Sequence, residues 1–292
     1  MAFGNQPTEK TIFLNQKGLI HRAKGEYDDA IITFQQALDI ARNEIKNDDS
    51  HFDAINSNLA LTHISMCKYS IARKIYEDLI IKDTHKYGRR SWHVCVSLSC
   101  LGTINEKEKR TQEAKEMYEE CYSISSELLG EEHPQTLTNL NNLGLINIDE
   151  NPKKAEKILK NVLKLRVKQY GESNILTIIT LINVASCYSR QKRYPKANKT
   201  LLRALGIATS TLGSLHPETI RINHNLALSM SNLNNDEEAI SLMEKVVSDR
   251  TKVLGADSPL TQLSKNMLSE LNGTNTINRF NAIFSNLYTD LK

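Results

Sequence analysis

The sequence predicts an all-α protein, built as a solenoid of six helix-turn-helix units with C-terminal capping helices. The main observation is an alanine that recurs every 41 or 42 residues along the 292-residue chain. A fixed period of this length is typical of repeat architectures. The second observation is the scarcity of Gly (12) and Pro (6), which argues against a turn-rich β sandwich or barrel.

The second helix of each unit, helix B, is predicted from the spacing around the recurrent alanine. The recurrent alanines are Ala30, Ala72, Ala114, Ala155, Ala197 and Ala239. Four residues later comes a bulky apolar side chain, at Phe34, Tyr76, Tyr118, Leu159, Leu201 and Met243. Three residues further lies another packing residue, at Ala37, Leu79, Cys121, Val162, Ala204 and Val246. Offsets of four and seven place these side chains on one face of a helix.

The first helix, helix A, is predicted from a small residue eleven or twelve positions before each recurrent alanine. These small residues are Gly18, Ala60, Gly102, Gly144, Ala185 and Ala227. A small side chain lets two helices approach closely where they cross, and stacking of units then buries the remaining apolar face. Leu-Gly-x-x-His-Pro separates units at 129–134 and 212–217. We expect the Gly to adopt a left-handed conformation after helix B, the Pro to open the next helix, and the His to cap that helix or to pack locally.

This pattern resembles the tetratricopeptide repeat. The family's usual period is 34 residues, and the 42-residue period with Asn-Leu-Ala or Asn-Leu-Gly in helix A is similar to the kinesin-light-chain type. The resemblance covers about residues 11–259 and implies a right-handed superhelix whose A helices line a concave groove. The chain begins directly with its first repeat, without the coiled coil that precedes the repeats of kinesin light chains, so a motor-subunit role is not expected.

The chain is expected to divide into a repeat domain over 1–259 and a C-terminal part over 260–292. In that second part, 260–271 repeats the helix A pattern and is interpreted as a cap. Apolar residues at 277, 280, 284, 287, 288 and 291 predict an amphipathic final helix. This helix could pack against the last repeat, or dock in the groove of this chain or of a partner.

Candidate ligand-binding residues are expected on the A helices, where the resemblance places a groove. An asparagine recurs two residues before the small crossing residue, at Asn58, Asn142, Asn183 and Asn225. Its amide can donate to and accept from a peptide backbone, and in the resembling families an asparagine at this place contacts bound peptide. The alternative is hydrogen bonding between helices within the solenoid. Further groove candidates are Arg22, Ser65, Lys107, Arg190, Asn232, Arg221 and His224.

A cluster of positive charge lies between residues 151 and 203, where 13 Lys or Arg face 2 Glu. This basic patch comprises Lys153, Lys154, Lys157, Lys160, Lys164, Lys168, Arg190, Lys192, Arg193, Lys196, Lys199 and Arg203. It could meet an acidic partner segment, an anionic membrane or RNA, or it could be a solvated face. Few aromatic residues accompany it, which disfavours sequence-specific RNA recognition. The net charge of +3 gives no reason to expect DNA binding.

No catalytic motif is present: the sequence lacks a Walker-type phosphate loop, GxSxG, HExxH and GxGxxG. The five cysteines are scattered and are interpreted as free thiols. A metal site formed by Cys95, Cys100 and His93 is an alternative that we do not favour. We therefore expect a non-enzyme with no cofactor or metal. The absence of a signal peptide or an 18-residue apolar run predicts a cytoplasmic protein.

These observations support one main hypothesis and two alternatives. The main hypothesis is a protein-interaction scaffold that binds an extended peptide in its groove, with nearby Arg and Lys selecting acidic side chains. The first alternative is a regulatory sensor, in which a peptide or small ligand changes the pitch of the solenoid. The second is an adaptor that meets anionic surfaces or RNA through the basic patch. The partner's identity and the oligomeric state are left open by the sequence.

Overall fold

A computed structural model of the chain describes residues 7–44 and 49–273. Over these ranges it contains helices and no strand. The helices are α1 (Pro7–Lys24), α2 (Tyr27–Glu44), α3 (Asp49–Ser65), α4 (Tyr69–Tyr87), α5 (Trp92–Lys107), α6 (Thr111–Leu129), α7 (Pro134–Ile146), α8 (Pro152–Tyr170), α9 (Ile175–Arg190), α10 (Tyr194–Leu212), α11 (Pro217–Ser231), α12 (Asp236–Leu254) and α13 (Pro259–Asn272). The predicted all-α solenoid class is confirmed, and α1–α12 fit the predicted six pairs.

Odd-numbered helices up to α11 are the predicted A helices, and even-numbered helices are the predicted B helices. The predicted capping helix at 260–271 corresponds to α13, which packs against α12. The predicted final helix lies outside the described residues. The right-handed stacking and the domain limits at 259 and 260 remain predictions.

The chain divides into two compact units, residues 1–139 and 140–292. The first unit holds α1–α6 and the beginning of α7, and the second holds the rest of α7 and α8–α13. Within each unit, a B helix packs on the A helix of its own repeat and on the A helix that follows, as α10 does with α9 and α11. Four A helices, α3, α5, α9 and α11, are thereby each held between two B helices.

The recurrent residues form the core of each repeat. All six recurrent alanines are fully buried, as are Phe34, Tyr76 and Tyr118 at the position four residues later. A Cβ atom added to Gly102 would lie 2.7 Å from the ring of Tyr118. A side chain at this position would therefore force the Tyr118 ring to move from its place between α5 and α6.

The turn between the A and B helices contains one residue with positive φ, five positions before the recurrent alanine. In the first repeat this residue is Gly25, with a φ of 81°. In four other repeats it is not glycine, and its φ lies between 57° and 63°, at Cys67, Lys109, Lys192 and Asn234. The fourth repeat is one residue shorter between Gly144 and Ala155, and its turn has no positive-φ residue among those described.

The boundary after each B helix depends on a glycine, as Gly130 illustrates. Its N–H donates to the carbonyl of Ser126 at 3.0 Å, and its φ of 89° confirms the predicted positive sign. Its ψ of 159° lies outside the left-handed helical region that we expected, in a region essentially restricted to glycine. The predicted histidine cap is confirmed at His216, whose Nδ1 accepts from the N–H of Glu218 at 3.1 Å.

A second recurrent position joins successive repeats, and we call it the seam position: the B-helix residue eleven after the recurrent alanine. On α8 it is Arg166, whose Nη1 donates to the carbonyl of Leu176 at 3.1 Å and to Oγ1 of Thr180 at 2.8 Å. On α12 it is Arg250, whose Nη1 donates to Leu260 and Ser264 in the same way, at 2.9 and 2.7 Å.

Both seam arginines are almost completely buried, and burial lowers the pKa of Arg166 to about 10. On α10 the seam position is Ala208, and the residue fourteen later is Ile222, so this seam is apolar. The same location in the fold therefore takes either a buried cation or a methyl group.

Candidate functional site

The recurrent asparagines of the A helices connect neighbouring repeats in two places. Nδ2 of Asn183 on α9 donates to Oδ1 of Asn141 on α7 at 3.1 Å. Nδ2 of Asn58 on α3 donates to Oδ1 of Asn15 on α1 at 2.9 Å. In both cases the acceptor lies one position earlier in the repeat than the recurrent asparagine. The structure thus contains the interhelical hydrogen bonds that were the alternative interpretation of this residue.

Two recurrent asparagines of the second unit have a side-chain oxygen that accepts no hydrogen bond. Asn183 and Asn225 are buried, with 1% and 5% of their surfaces exposed. The Oδ1 atom of each has no hydrogen-bond partner. A buried acceptor without a donor costs about 1–3 kcal/mol relative to one that is satisfied. Asn58 and Asn142 are half-buried, so the two unsatisfied oxygens distinguish α9 and α11 from α3 and α7.

Two more groove candidates, Arg221 and His224, lie on α11 beside Asn225, and both are buried. Oε2 of Glu218 accepts from Nε and Nη2 of Arg221 at 2.8 and 2.5 Å. Nη1 of Arg221 has no partner. Nδ1 of His224 lies 3.4 Å from Oγ of Ser264. Arg221, His224 and Asn225 therefore form one buried polar region on α11.

The remaining candidates are more varied. Arg22 is half-buried and its Nη1 has no partner, while Lys107 is half-buried. Arg190 forms an ion pair with Asp149. Ser65 and Asn232 hydrogen-bond to carbonyls of their own helices. The structure does not bring this second group together into one site.

A cavity of about 210 Å³ adjoins Arg221. Its walls combine charged side chains with apolar ones, and Val253 and Leu254 at its edge are about two-fifths exposed. The lining residues are Pro217, Glu218, Ile220, Arg221, Arg250, Val253, Leu254 and Leu260. Two arginines face one glutamate in this lining, so the cavity has a net positive charge with aliphatic surroundings.

Sequence reasoning missed Arg250 and Ser264, which link this cavity to His224. Arg250 donates to Oγ of Ser264 at 2.7 Å, and the same oxygen contacts His224. The signal was present in the sequence: Arg166 and Arg250 both lie eleven residues after the recurrent alanine, and each is followed fourteen residues later by a hydroxyl residue. Burial of Arg166 and Arg250 was not predicted, because arginine is rarely fully buried.

The basic patch lies mainly on α8 and α10. Five of its lysines, spaced by four, three, four and four residues, form a stripe on one face of α8: Lys153, Lys157, Lys160, Lys164 and Lys168. All five are exposed. Lys160 and Arg193 both pair with Glu156, at 2.7 and 2.6 Å. Burial alone would raise the pKa of Glu156, but hydrogen bonds from Lys160, Gln191 and Arg193 hold it below its ordinary value.

Two groups of residues contain the side-chain types that bind metal ions. The ring of His93 stacks on Tyr87 at a centroid distance of 4.1 Å, while Sγ of Cys95 contacts the carbonyl of Cys121. Among the described residues, one group of three metal-ligand types lies together, namely His21, Glu26 and Asp29. Both acids are exposed, and acids near a helix N-terminus are favoured without a metal, so we propose no metal site there. In the described ranges, no helix is both long and apolar enough to cross a bilayer.

Comparisons with known proteins agree with this geometry. Tetratricopeptide repeat family models match residues 93–166, 145–210 and 176–252, and a further one matches 14–44. Among solved structures, BtubC (BKLC) from P. vanneervenii is 22% identical, with a TM-score of 0.56 over 67% of this chain and 78% of that one. A putative kinesin light chain of Podosopora anserina with nearly identical repeats is 17% identical, with a TM-score of 0.43 over 86% of this chain and 99% of that one.

The structure of a Rap protein complexed with competence and sporulation factor is 11% identical, with a TM-score of 0.63 over 90% of this chain and 75% of that one. At this level of identity the likeness shows the fold alone. The matched family segments cover more than half of the 292 residues. The chain therefore belongs to the tetratricopeptide repeat family.

Proposed function

We propose that this chain is a non-enzymatic protein-interaction scaffold that binds an extended peptide segment along the A helices of its second unit. The observation that carries the proposal is the pair of buried, unsatisfied Oδ1 atoms of Asn183 and Asn225. Backbone N–H groups of an extended peptide would supply the missing donors after the side chains that cover these two oxygens move aside. The asparagines would then have two roles, with Nδ2 of Asn183 bridging helices and the Oδ1 atoms binding the ligand.

The chemistry around Arg221 supports an acidic group in the peptide. Nη1 of Arg221 has no acceptor, and guanidinium groups bind carboxylates with good geometry. The aliphatic side chains beside it, Val253 and Leu254, would contact an apolar neighbour of the acidic residue. The preferred segment would thus combine a carboxylate with an aliphatic or aromatic side chain.

Substitution of Asn225 by Ala tests the asparagine. Linear peptides selected from a phage-displayed library against the full chain serve as probes, and fluorescence polarisation measures their affinity. We expect about a tenfold loss of affinity, corresponding to about 1.4 kcal/mol. The melting temperature should not fall, because the substitution removes an acceptor that has no hydrogen-bond partner.

Asn232→Ala is the matched control, since the Asn232 side chain donates to the carbonyl of Leu228 in its own helix. It should leave affinity unchanged. Equal affinities of the wild type and Asn225→Ala for every selected peptide would refute the proposed role of the asparagine. Selected peptides whose affinity is unchanged by substitution of Arg221, His224 or Asn225 would refute binding along α11.

A second candidate function rests on the exposed lysine stripe of α8, which favours an anionic partner. Lys157→Glu with Lys164→Glu would reverse two charges of the stripe without touching the buried face of α8. We expect binding to vesicles containing phosphatidylserine, or to an acidic peptide, to fall steeply with added salt and to be lost in this variant. Binding that does not change with salt would show that the lysines form only a solvated face.

A further inference from the structure

Two cysteines meet in the buried interior of the third repeat. Sγ of Cys121 on α6 donates to the carbonyl of Cys95 on α5 at 3.2 Å, and Sγ of Cys95 lies 3.5 Å from the carbonyl of Cys121. Each thiol also shifts the pKa of the other. At most 1% of either residue is exposed, and both thiols are free. This reciprocal arrangement holds the two sulfur atoms side by side.

Asn139 on α7 completes the environment of the two thiols. Its Nδ2 lies 3.5 Å from Sγ of Cys95, 3.4 Å from the carbonyl of Cys121 and 3.1 Å from Oγ of Ser125. All these groups are buried. The sulfur of Cys95 therefore lies beside the thiol of Cys121 and accepts from the amide of Asn139.

The two thiols differ in acidity for this reason. The pKa of Cys95 is lowered by the hydrogen bond from Cys121, which together with the Asn139 amide outweighs the opposing effect of burial. Hydrogen bonding to Cys95, and then burial, raise the pKa of Cys121 well above its ordinary value. Since the thiolate is the nucleophilic form of cysteine, Cys95 is the sulfur expected to react first.

The other described cysteines have different surroundings. Cys187 is buried, and its Sγ donates to the carbonyl of Pro152 at 3.3 Å. Burial raises its pKa. Cys67 is exposed in a turn. Neither shows the reciprocal thiol contact that joins Cys95 to Cys121.

We propose that Cys95 and Cys121 are a modification site, at which hydrogen peroxide forms a disulfide joining α5 to α6. The Cys95 thiolate attacks one peroxide oxygen, the O–O bond breaks, and the leaving hydroxide takes a proton to become water. The Cys121 sulfur then attacks the Cys95 sulfenic sulfur, the S–O bond breaks, and a second water leaves. Two thiols are oxidised by two electrons in total, and one peroxide is reduced to two waters.

The oxidant must be small because both sulfurs are buried. Peroxide can reach them during a local opening of the helix pair, whereas glutathione disulfide needs much more room. The bond would fix helices A and B of the third repeat and hold the contact with Asn139 at the start of α7. Oxidation would thereby make one repeat of the solenoid more rigid than its neighbours.

The test uses the full chain carrying Cys100→Ser, because trypsin leaves Cys95 and Cys100 in one peptide, residues 91–107. After treatment with hydrogen peroxide, free thiols are blocked with N-ethylmaleimide in denaturant, and the tryptic peptides are analysed by mass spectrometry. We expect peptide 91–107 to be linked to the Cys121 peptide, residues 116–153, and the link to disappear on reduction. The same treatment with glutathione disulfide should give little of this product.

Cys121→Ser, in the same background, separates the two steps. Peroxide should then leave a sulfenic acid on Cys95 that dimedone traps, with no linked peptide. Cys187→Ser is the matched control, a buried cysteine whose loss should leave the linked product unchanged. Circular dichroism checks that each variant is folded. Complete N-ethylmaleimide labelling of Cys95 and Cys121 after peroxide treatment of the folded chain would overturn the proposal, as would links distributed equally among all cysteines.

Discussion

Two seams of the second unit occupy the same place in the repeat and are built from opposite chemistry. Between α8 and α9, Arg166 is buried and donates to Thr180 and to the carbonyl of Leu176. Between α10 and α11, Ala208 and Ile222 fill the same positions with apolar atoms. The difference shows that repeat stacking sets the shape and burial of this position but not its polarity. A buried cation there is a property of the α8–α9 and α12–α13 seams and is not required by the fold.

The largest expected effect comes from Arg166→Ala. The substitution leaves a void in a fully buried region and removes the donor to Oγ1 of Thr180, while the carbonyl of Leu176 keeps only its bond from Thr180 within α9. We expect a loss of about 3 kcal/mol in the free energy of unfolding, by the mechanisms of cavity formation and unsatisfied buried groups. Urea denaturation followed by circular dichroism measures it. Lys164→Ala on the exposed face of α8 is the control and should change stability little.

The double variant Arg166→Ala with Thr180→Ile copies the apolar seam into the polar one. If the two seams are interchangeable, the introduced isoleucine fills the space left by the arginine, and most of the loss is recovered. A double variant as unstable as Arg166→Ala alone would show instead that the α8–α9 seam has adapted its backbone to the arginine.

A smaller effect is expected at the polar but uncharged seam of the first unit. Ser125 occupies the seam position of α6, and its Oγ accepts from Nδ2 of Asn139 at 3.1 Å. Ser125→Ala removes one acceptor, while Asn139 keeps its contact with the carbonyl of Cys121. We expect a loss of about 1 kcal/mol, the usual net contribution of one hydrogen bond. Ser123→Ala, an exposed position on the same helix, should give no comparable loss in the same denaturation assay.

The smallest effect, and one of opposite sign, is expected at Asp83, which occupies the seam position of α4. Burial, and then the charge of Asp53, raise its pKa, and its Oδ1 has no partner. Because the folded pKa lies above the unfolded one, its favourable contribution is present at low pH and is lost as pH rises through the folded pKa. Asp83→Asn should therefore stabilise the chain near neutral pH, and the gain should shrink on acidification below the ordinary aspartate pKa.

Urea denaturation at about pH 7 and about pH 3 checks this expectation, since the lower value lies below the ordinary aspartate pKa of about 3.9. Asp78→Asn on the exposed face of the same helix is the control. A gain for Asp83→Asn that does not depend on pH would assign the effect to hydrogen bonding rather than to the buried charge.

The helix pairs could be predicted because they depend on a spacing that is visible in the sequence. Ala30 and its five equivalents, with Phe34 and Tyr118 four residues later in their helices, are all fully buried as the period indicates. Packing of this kind repeats with the chain, so one observation predicts six copies. The cap at His216 could also be predicted, because the Leu-Gly-x-x-His-Pro segment recurs between repeats.

The polar contacts between repeats could not be predicted from the sequence. Asn183 donates to Asn141, an asparagine one position out of register with the recurrent one, and no periodicity identifies such a partner. Likewise Arg221 and His224 were expected in an open groove, and the structure places them in a buried region with Glu218 and Ser264. Side-chain partners depend on the offset between neighbouring helices, which the sequence period does not specify.

The turns between A and B helices have a consequence for engineering. Four of them place a residue other than glycine at positive φ, at Cys67, Lys109, Lys192 and Asn234. Each such residue costs roughly 1 kcal/mol relative to glycine, by the steric clash of its Cβ atom, less for asparagine. The first repeat already has glycine there. Replacing Lys109 and Lys192 by glycine would raise the melting temperature without altering either helix, so thermostability could be adjusted one repeat at a time.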